Sequence, residues 1–162
     1  MSRIIRIAGV SGSGKTSLIQ QLLQEFQWRG IATACLKHSH HELDLPSKDS
    51  TVLFKASSQG AMVIGKNAVS VTLPLQHKTP QAWADFLFPN AQIILVEGWR
   101  EFELPSILLS ADLPPDWTIP KNIIATYGKH RLLNIPNYAD AKALAPFLLQ
   151  QLKLAHISKL SE

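Results

Sequence analysis

Apolar and polar positions along this chain change period in blocks, and the blocks predict strand and helix by turns. Residues 3–8 (Arg-Ile-Ile-Arg-Ile-Ala) form a short β-rich run. Leu18, Ile19, Leu22, Leu23 and Phe26 then recur at the three- and four-residue spacing of a helix face, until Gly30 ends it. Ile31 to Lys37 reads as a second strand, so the chain opens as a βαβ unit whose connection is right-handed if both strands share a sheet. From His38 to Lys48 the periodicity is lost in a polar stretch with three histidines, two acids and Pro46. Asp49 and Ser50 suit a helix start for a segment reaching about Gln59, with Gly60 closing it.

The second half continues the alternation. Ala61 to Ile64 and Ala68 to Leu73, split by Gly65-Lys66-Asn67, predict an antiparallel hairpin at a sheet edge. Thr79 caps a short helix with Pro80 at its first position, carrying Trp83 and ending before Pro89. Ala91 to Val96 is the most apolar strand candidate, covered on both faces, and it runs into Glu97-Gly98. Ser106 to Leu109 and Asn122 to Thr126 predict two more strands around a proline-rich loop, Leu113 to Pro120. Arg131 to Ile135 reads as a short edge strand stopped by Pro136. Ala139 to about Ala155 is helical by the spacing of Leu144, Leu148 and Leu152, with Pro146 marking either a kink or the first turn of a second helix. The pattern predicts an α/β fold: a mostly parallel sheet with flanking helices and an antiparallel edge hairpin.

Composition narrows the class. At 162 residues, with no repeat or linker, the chain 1–162 is expected to be a single domain able to bury about two thirds of its unfolded surface. Hydrophobic content of 46% and charged content of 17% describe a globular chain rather than a disordered one. The net charge of +4 is spread along the sequence without a basic stripe interleaved with aromatics, which argues against a nucleic-acid partner. No apolar run approaches the ~18 residues of a membrane span, and the N-terminus reads as a strand rather than a signal peptide. Cys35 is the only cysteine, so no intrachain disulfide forms; it is expected to be buried in the second strand. These features together predict a cytoplasmic protein without a membrane partner.

Gly9-Val10-Ser11-Gly12-Ser13-Gly14-Lys15-Thr16-Ser17 carries the chemistry: it fits GxxxxGK(S/T), the P-loop or Walker A pattern, between a strand and a helix. Small residues let successive N–H groups curl around phosphate oxygens at the positive end of a helix. Gly12, Ser13, Gly14, Lys15, Thr16 and Ser17 are therefore the candidate phosphate-binding residues, with Lys15 bridging the terminal phosphates and Thr16 offering its hydroxyl to Mg²⁺. Glu97, at the C-terminal end of an apolar strand, is the candidate acid facing that metal; the competing reading pairs it with a lysine or arginine. Asp49 is the other metal candidate, or only a helix cap. His38, His40 and His41 suit either a Zn²⁺ or Ni²⁺ site, without a matching cysteine motif, or a phosphate-side or partner-facing loop. Trp99 is open between a partner surface and loop packing. No N-K-x-D segment is present, so the base stays open at this level: Thr126-Tyr127-Gly128-Lys129, after the last long strand, has no Asp.

Three stretches together resemble one family. Gly9 to Ser17, then Leu36-Lys37-His38-Ser39-His40-His41 with Lys48-Asp49-Ser50 downstream, then Ile94-Leu95-Val96-Glu97-Gly98 are similar to the GTP-binding adapters of molybdopterin-guanine dinucleotide biosynthesis, the MobB family. The resemblance implies a SIMIBI-type P-loop NTPase fold, a homodimer, GTP with Mg²⁺, weak intrinsic hydrolysis, and assistance to the molybdenum cofactor guanylyltransferase that attaches GMP to molybdopterin. By position it implies phosphate contacts from Gly12 to Ser17, Mg²⁺ near Thr16, Asp49 and Glu97, and a switch region at His38 to His41. Ser47 stands where the family often has Gly, and Thr126-Tyr127-Gly128 departs from the small-Ser-Asp sequence of some members. Two rival classes are a small-molecule or nucleotide kinase and a GTP-dependent metal-delivery protein. Against the first, Arg29, Arg100 and Arg131 are scattered rather than grouped in a lid; against the second, no cysteine-containing metal motif accompanies the histidines.

Overall fold

A computed structural model of the chain describes residues 3–39, 48–57, 59–109, 113–129, 132 and 134–153, with 48–50 described by their backbone. The elements are β1 (Ile4–Ala8), α1 (Lys15–Trp28), β2 (Thr33–Lys37), α2 (Lys48–Ala56), β3 (Ala61–Ile64), β4 (Val69–Thr72), α3 (Pro80–Leu87), β5 (Ile93–Glu97), β6 (Ser106–Leu109), β7 (Ile123–Tyr127), β8 (Asn137–Tyr138) and α4 (Ala141–Gln151). They fall into two compact units, Met1–His38 with Thr79–Glu162, and Ser39–Lys78.

The first unit is built on a six-stranded sheet of order β2-β5-β1-β6-β7-β8, parallel at every pair. β1 and β2 share this sheet, but β5 lies between them. Alternate side chains along a strand face opposite sides, and the core divides accordingly. Ile5, Ile7, Ile93, Leu95, Ile107 and Ala125 pack with Leu18, Leu22 and Phe26 of α1 and Leu144 and Leu148 of α4. On the other face Ile4, Leu36, Ile94 and Val96 pack with Ala84 of α3 and with Trp99. Ile93 to Val96 are fully buried, which explains the unbroken apolar run of β5.

Local chemistry fixes the ends of the helices. Thr79 accepts a hydrogen bond from the Ala82 N–H at 3.1 Å, with Pro80 opening α3; Asp140 accepts one from the Ala143 N–H at 2.7 Å to start α4. α4 runs through Pro146 as one helix. It ends at Gln151, short of the expected Ala155, with Leu152 as its C-cap and Lys153 turned into the left-handed region at a φ of +58°; His156 falls outside the described residues.

Other details differ from expectation as well. Arg131 to Ile135 is not where the last edge strand lies: β8 follows Pro136 instead. Proline has no N–H to give, but its carbonyl accepts from the Thr126 N–H at 2.9 Å, so Pro136 opens the pairing rather than stopping it. Residues 130, 131 and 133 are outside the described set. Cys35 is exposed rather than buried, because β2 is the outermost strand of the sheet. Partial desolvation and the Glu97 carboxylate still hold its thiol above the ordinary value. The helix starting beside Asp49 ends at Ala56 rather than Gln59.

The second unit holds α2 and the antiparallel hairpin β3–β4, paired from Ala61↔Thr72 to Ile64↔Val69 and closed by the Gly65 N–H donating to the Ala68 carbonyl at 2.8 Å. The antiparallel hairpin forms as expected, but as a two-stranded sheet of its own rather than at the edge of a larger sheet. Met62 opposite Val71 and Ile64 opposite Val69 place four apolar side chains on one face, and all four are exposed.

Candidate functional site

β1 ends in the middle of the sheet, between β5 and β6, where the chain order on its two sides diverges. The C-terminal edge of an open parallel sheet at such a point is where ligands bind. The loop of residues 9–14 leaves β1 there and turns into α1 at Gly14, whose φ of +91° is a left-handed conformation that glycine adopts without strain. Gly14 caps α1 without a side chain, and the first turn contains no acid. Its leading N–H groups therefore keep their attraction for an external anion.

Lys15 folds back so that Nζ donates to the Val10 carbonyl at 2.8 Å, across the loop it belongs to. Register sets Glu97 beside Ile7 of β1 and Lys37 of β2. From there its carboxylate accepts a hydrogen bond from Thr16 Oγ1 at 3.1 Å and faces Lys37 Nζ at 3.9 Å. Glu97 thus has a lysine partner, as the competing reading expects, and it also meets the loop hydroxyl. The Ser13 hydroxyl oxygen is buried in the loop and makes no hydrogen bond among the described residues.

The backbone after Glu97 is held from two sides. The His38 N–H donates to the Glu97 carbonyl at 2.9 Å, and the His38 ring stacks on Trp99 with centroids 5.0 Å apart and planes 12° from parallel. Trp99 is buried, so it serves loop packing. Its φ of +51° is unusual for a bulky residue. Arg6, a charged residue inside apolar β1, accounts for that conformation: its guanidinium donates to Ser106 Oγ at 3.0 Å and to the carbonyls of Trp99 at 3.0 Å and Phe102 at 3.1 Å. Burial lowers the Arg6 pKa, partly opposed by Glu101. Arg6 escaped notice in the sequence; its only signal there was a charge in a strand otherwise made of apolar residues.

Asp49 lies in the first turn of α2, in the other unit. His40 and His41 lie outside the described residues. Among the described residues no group of three or more His, Cys, Asp or Glu side chains is arranged to hold a metal ion. No described helix is long and apolar enough to cross a membrane.

A glycine-rich loop between a buried parallel strand and an uncapped helix, facing an acid on the neighbouring strand, defines an α/β fold of the P-loop NTPase type. Comparison with known proteins narrows this further. The sequence model of MobB, molybdopterin guanine dinucleotide synthesis protein B, matches residues 4–126, and the chain belongs to that family. It is 28% identical over 163 residues to the molybdopterin-guanine dinucleotide biosynthesis adapter protein of Escherichia coli (strain K12), covering 93% of each chain. It is 32% identical over 110 residues to the protein of that name from Haemophilus influenzae, covering 65% of this chain and 62% of that one. The crystal structure of Bacillus subtilis MobB superposes with a TM-score of 0.69 at 21% identity, over 92% of this chain and 96% of that one, which shows a shared fold.

Proposed function

We propose that this protein is a GTP-binding adapter in molybdopterin guanine dinucleotide biosynthesis, assisting the guanylyltransferase that attaches GMP to molybdopterin. Membership of the MobB family and the names of the relatives support the pathway role. The single observation that carries nucleotide binding is the Thr16–Glu97 hydrogen bond at 3.1 Å beside an uncapped α1 N-terminus. It joins a hydroxyl and a carboxylate, the hard oxygen donors that Mg²⁺ selects.

In this reading the loop N–H groups from Gly12 to Ser17 receive the β- and γ-phosphates. Lys15 leaves the Val10 carbonyl to neutralise them. Thr16 and Glu97 hold Mg²⁺, which supplies charge neutralisation at the phosphates. Asp49 is kept as a further ligand from its place in the family motif. Intrinsic hydrolysis is slow. Arg6 is committed to loop carbonyls, Arg3 to Asp85 and the carbonyl of Ala91, and Arg29 to Glu25; Arg100 is exposed and Arg131 lies outside the described residues, and an arginine brought by a partner can add ~10³ to 10⁵ in rate. The protein works in the cytoplasm as a homodimer. The exposed apolar hairpin face of Met62, Ile64, Val69 and Val71 supports self-association, since a lone two-stranded sheet is marginal in water.

Calorimetric titration with non-hydrolysable GTP and ATP analogues, with and without Mg²⁺, tests the reading. The expected result is preference for the GTP analogue, weaker without Mg²⁺ and lost in Lys15→Ala. Preference for the ATP analogue would favour a kinase, and tight Ni²⁺ or Zn²⁺ binding in a parallel titration a metal-delivery protein; either result overturns it.

A further inference from the structure

We infer that a pocket on the β6–β7 side of the loop takes the nucleoside end of the bound nucleotide, and that Gln21 and Tyr127 set its base preference. This rests on the reading of the loop as a triphosphate site. The pocket has a volume of about 230 Å³ and is lined by Ser13 and Ser17 from the loop and first turn, Gln21 of α1, Leu109 at the end of β6, and Tyr127 and Gly128 at the end of β7. Pockets that enclose a whole drug-sized ligand run to ~300–1,000 Å³. This one suits one end of a nucleotide, with the phosphates outside it on the loop.

Topology assigns which end. β1 has β5 on one side and β6 on the other. Thr16 and Glu97, the metal-side pair, meet on the β5 side, so the terminal phosphates lie there. The pocket opens on the opposite side and is continuous with the loop through Ser13 and Ser17. A nucleotide extended from Thr16 past Ser17 enters it with its sugar and base.

The walls have the character of a base site. Leu109 and the Tyr127 ring offer apolar surface, while Gln21 carries an acceptor and two donors on one planar amide, complementary to the edge of a purine. The Tyr127 hydroxyl donates to Gln21 Oε1 at 3.4 Å, and Gln21 Nε2 donates to Ser17 Oγ at 3.5 Å. These bonds use one lone pair of Oε1 and one N–H of Nε2, so they orient the amide while leaving an acceptor and a donor for a ligand, and an oriented amide distinguishes the guanine O6/N1 edge from the adenine N6/N1 edge. Desolvation, with the Asp140 charge, raises the Tyr127 pKa. β8 stiffens the rim: Asn137 Nδ2 donates to the Gly128 carbonyl at 3.0 Å, and the Gly128 N–H donates to Tyr138 O at 2.9 Å.

The test compares calorimetric affinities for the GTP analogue, the ATP analogue and inorganic tripolyphosphate, all with Mg²⁺, in wild type, Gln21→Ala, Gln21→Trp and Tyr127→Phe. The expected wild type binds nucleotide at least tenfold tighter than tripolyphosphate. Gln21→Ala and Tyr127→Phe should narrow the ratio between the two nucleotides about tenfold. Gln21→Trp, filling the pocket from an exposed helix position, should bring nucleotide affinity down to that of tripolyphosphate, whose retained binding shows that the variant is folded. Equal wild-type affinity for nucleotide and tripolyphosphate, or unchanged ratios in all three variants, overturns the pocket while leaving the loop reading intact. A wild type that binds neither overturns both.

Discussion

Glu97 shows what one position can reveal in a sequence and what it cannot. A carboxylate closing a fully apolar strand was legible as a group that needs a partner, because burial without one costs several kcal/mol. That its carboxylate meets both Thr16 and Lys37 depends on strand register, which no local pattern encodes. Gly98 and Arg6 were illegible for the same reason. A Cβ at Gly98 would lie 2.5 Å from the His38 carbonyl oxygen, at a φ of +94°, and the carbonyls that Arg6 holds are in a loop more than ninety residues away. Gly98→Ala is accordingly expected to destabilise the fold by about 1–3 kcal/mol, read as a lower urea midpoint. An unchanged midpoint would mean that the His38 backbone moves freely.

Elements that depend on nearby residues were read well. Thr79-Pro80 starts a helix through a side-chain oxygen only three residues from the N–H group it accepts, and the apolar runs of β1, β5 and β6 lie where the pattern places them; Asp140 caps α4 in the same way, although the leucine spacing alone set that start at Ala139. Asp140→Ala should cost about 1 kcal/mol, and Asp140→Asn, which keeps the acceptor, much less; chemical denaturation of the two variants separates cap from charge. Elements that depend on distant partners were read less well. The insertion of β5 between β1 and β2 exposes Cys35 on the edge strand. The role of Pro136 shows only when Thr126 is seen to donate to it. The candidate nucleoside pocket draws on α1, β6 and β7 together, so no single motif announces it.

For the whole molecule, the P-loop sheet provides a site and the hairpin unit provides a surface. Met62, Ile64, Val69 and Val71 are 61%, 70%, 57% and 53% exposed, a patch that a lone chain would leave in water. Ile64→Lys places a charge in its centre and is expected to convert a dimer into a monomer in sedimentation velocity, with little change in the circular dichroism spectrum. A wild type that sediments as a monomer would remove the hairpin as the dimer contact. The central claim joins site and surface: nucleotide held on the loop lets this chain assist the transferase. Its most direct measurement is the rate at which a purified molybdenum cofactor guanylyltransferase forms molybdopterin guanine dinucleotide from molybdopterin and GTP, with and without this protein. The account predicts a rate increase that depends on this protein and disappears with Lys15→Ala; an unchanged rate with the wild-type protein, or equal stimulation by Lys15→Ala, would contradict it.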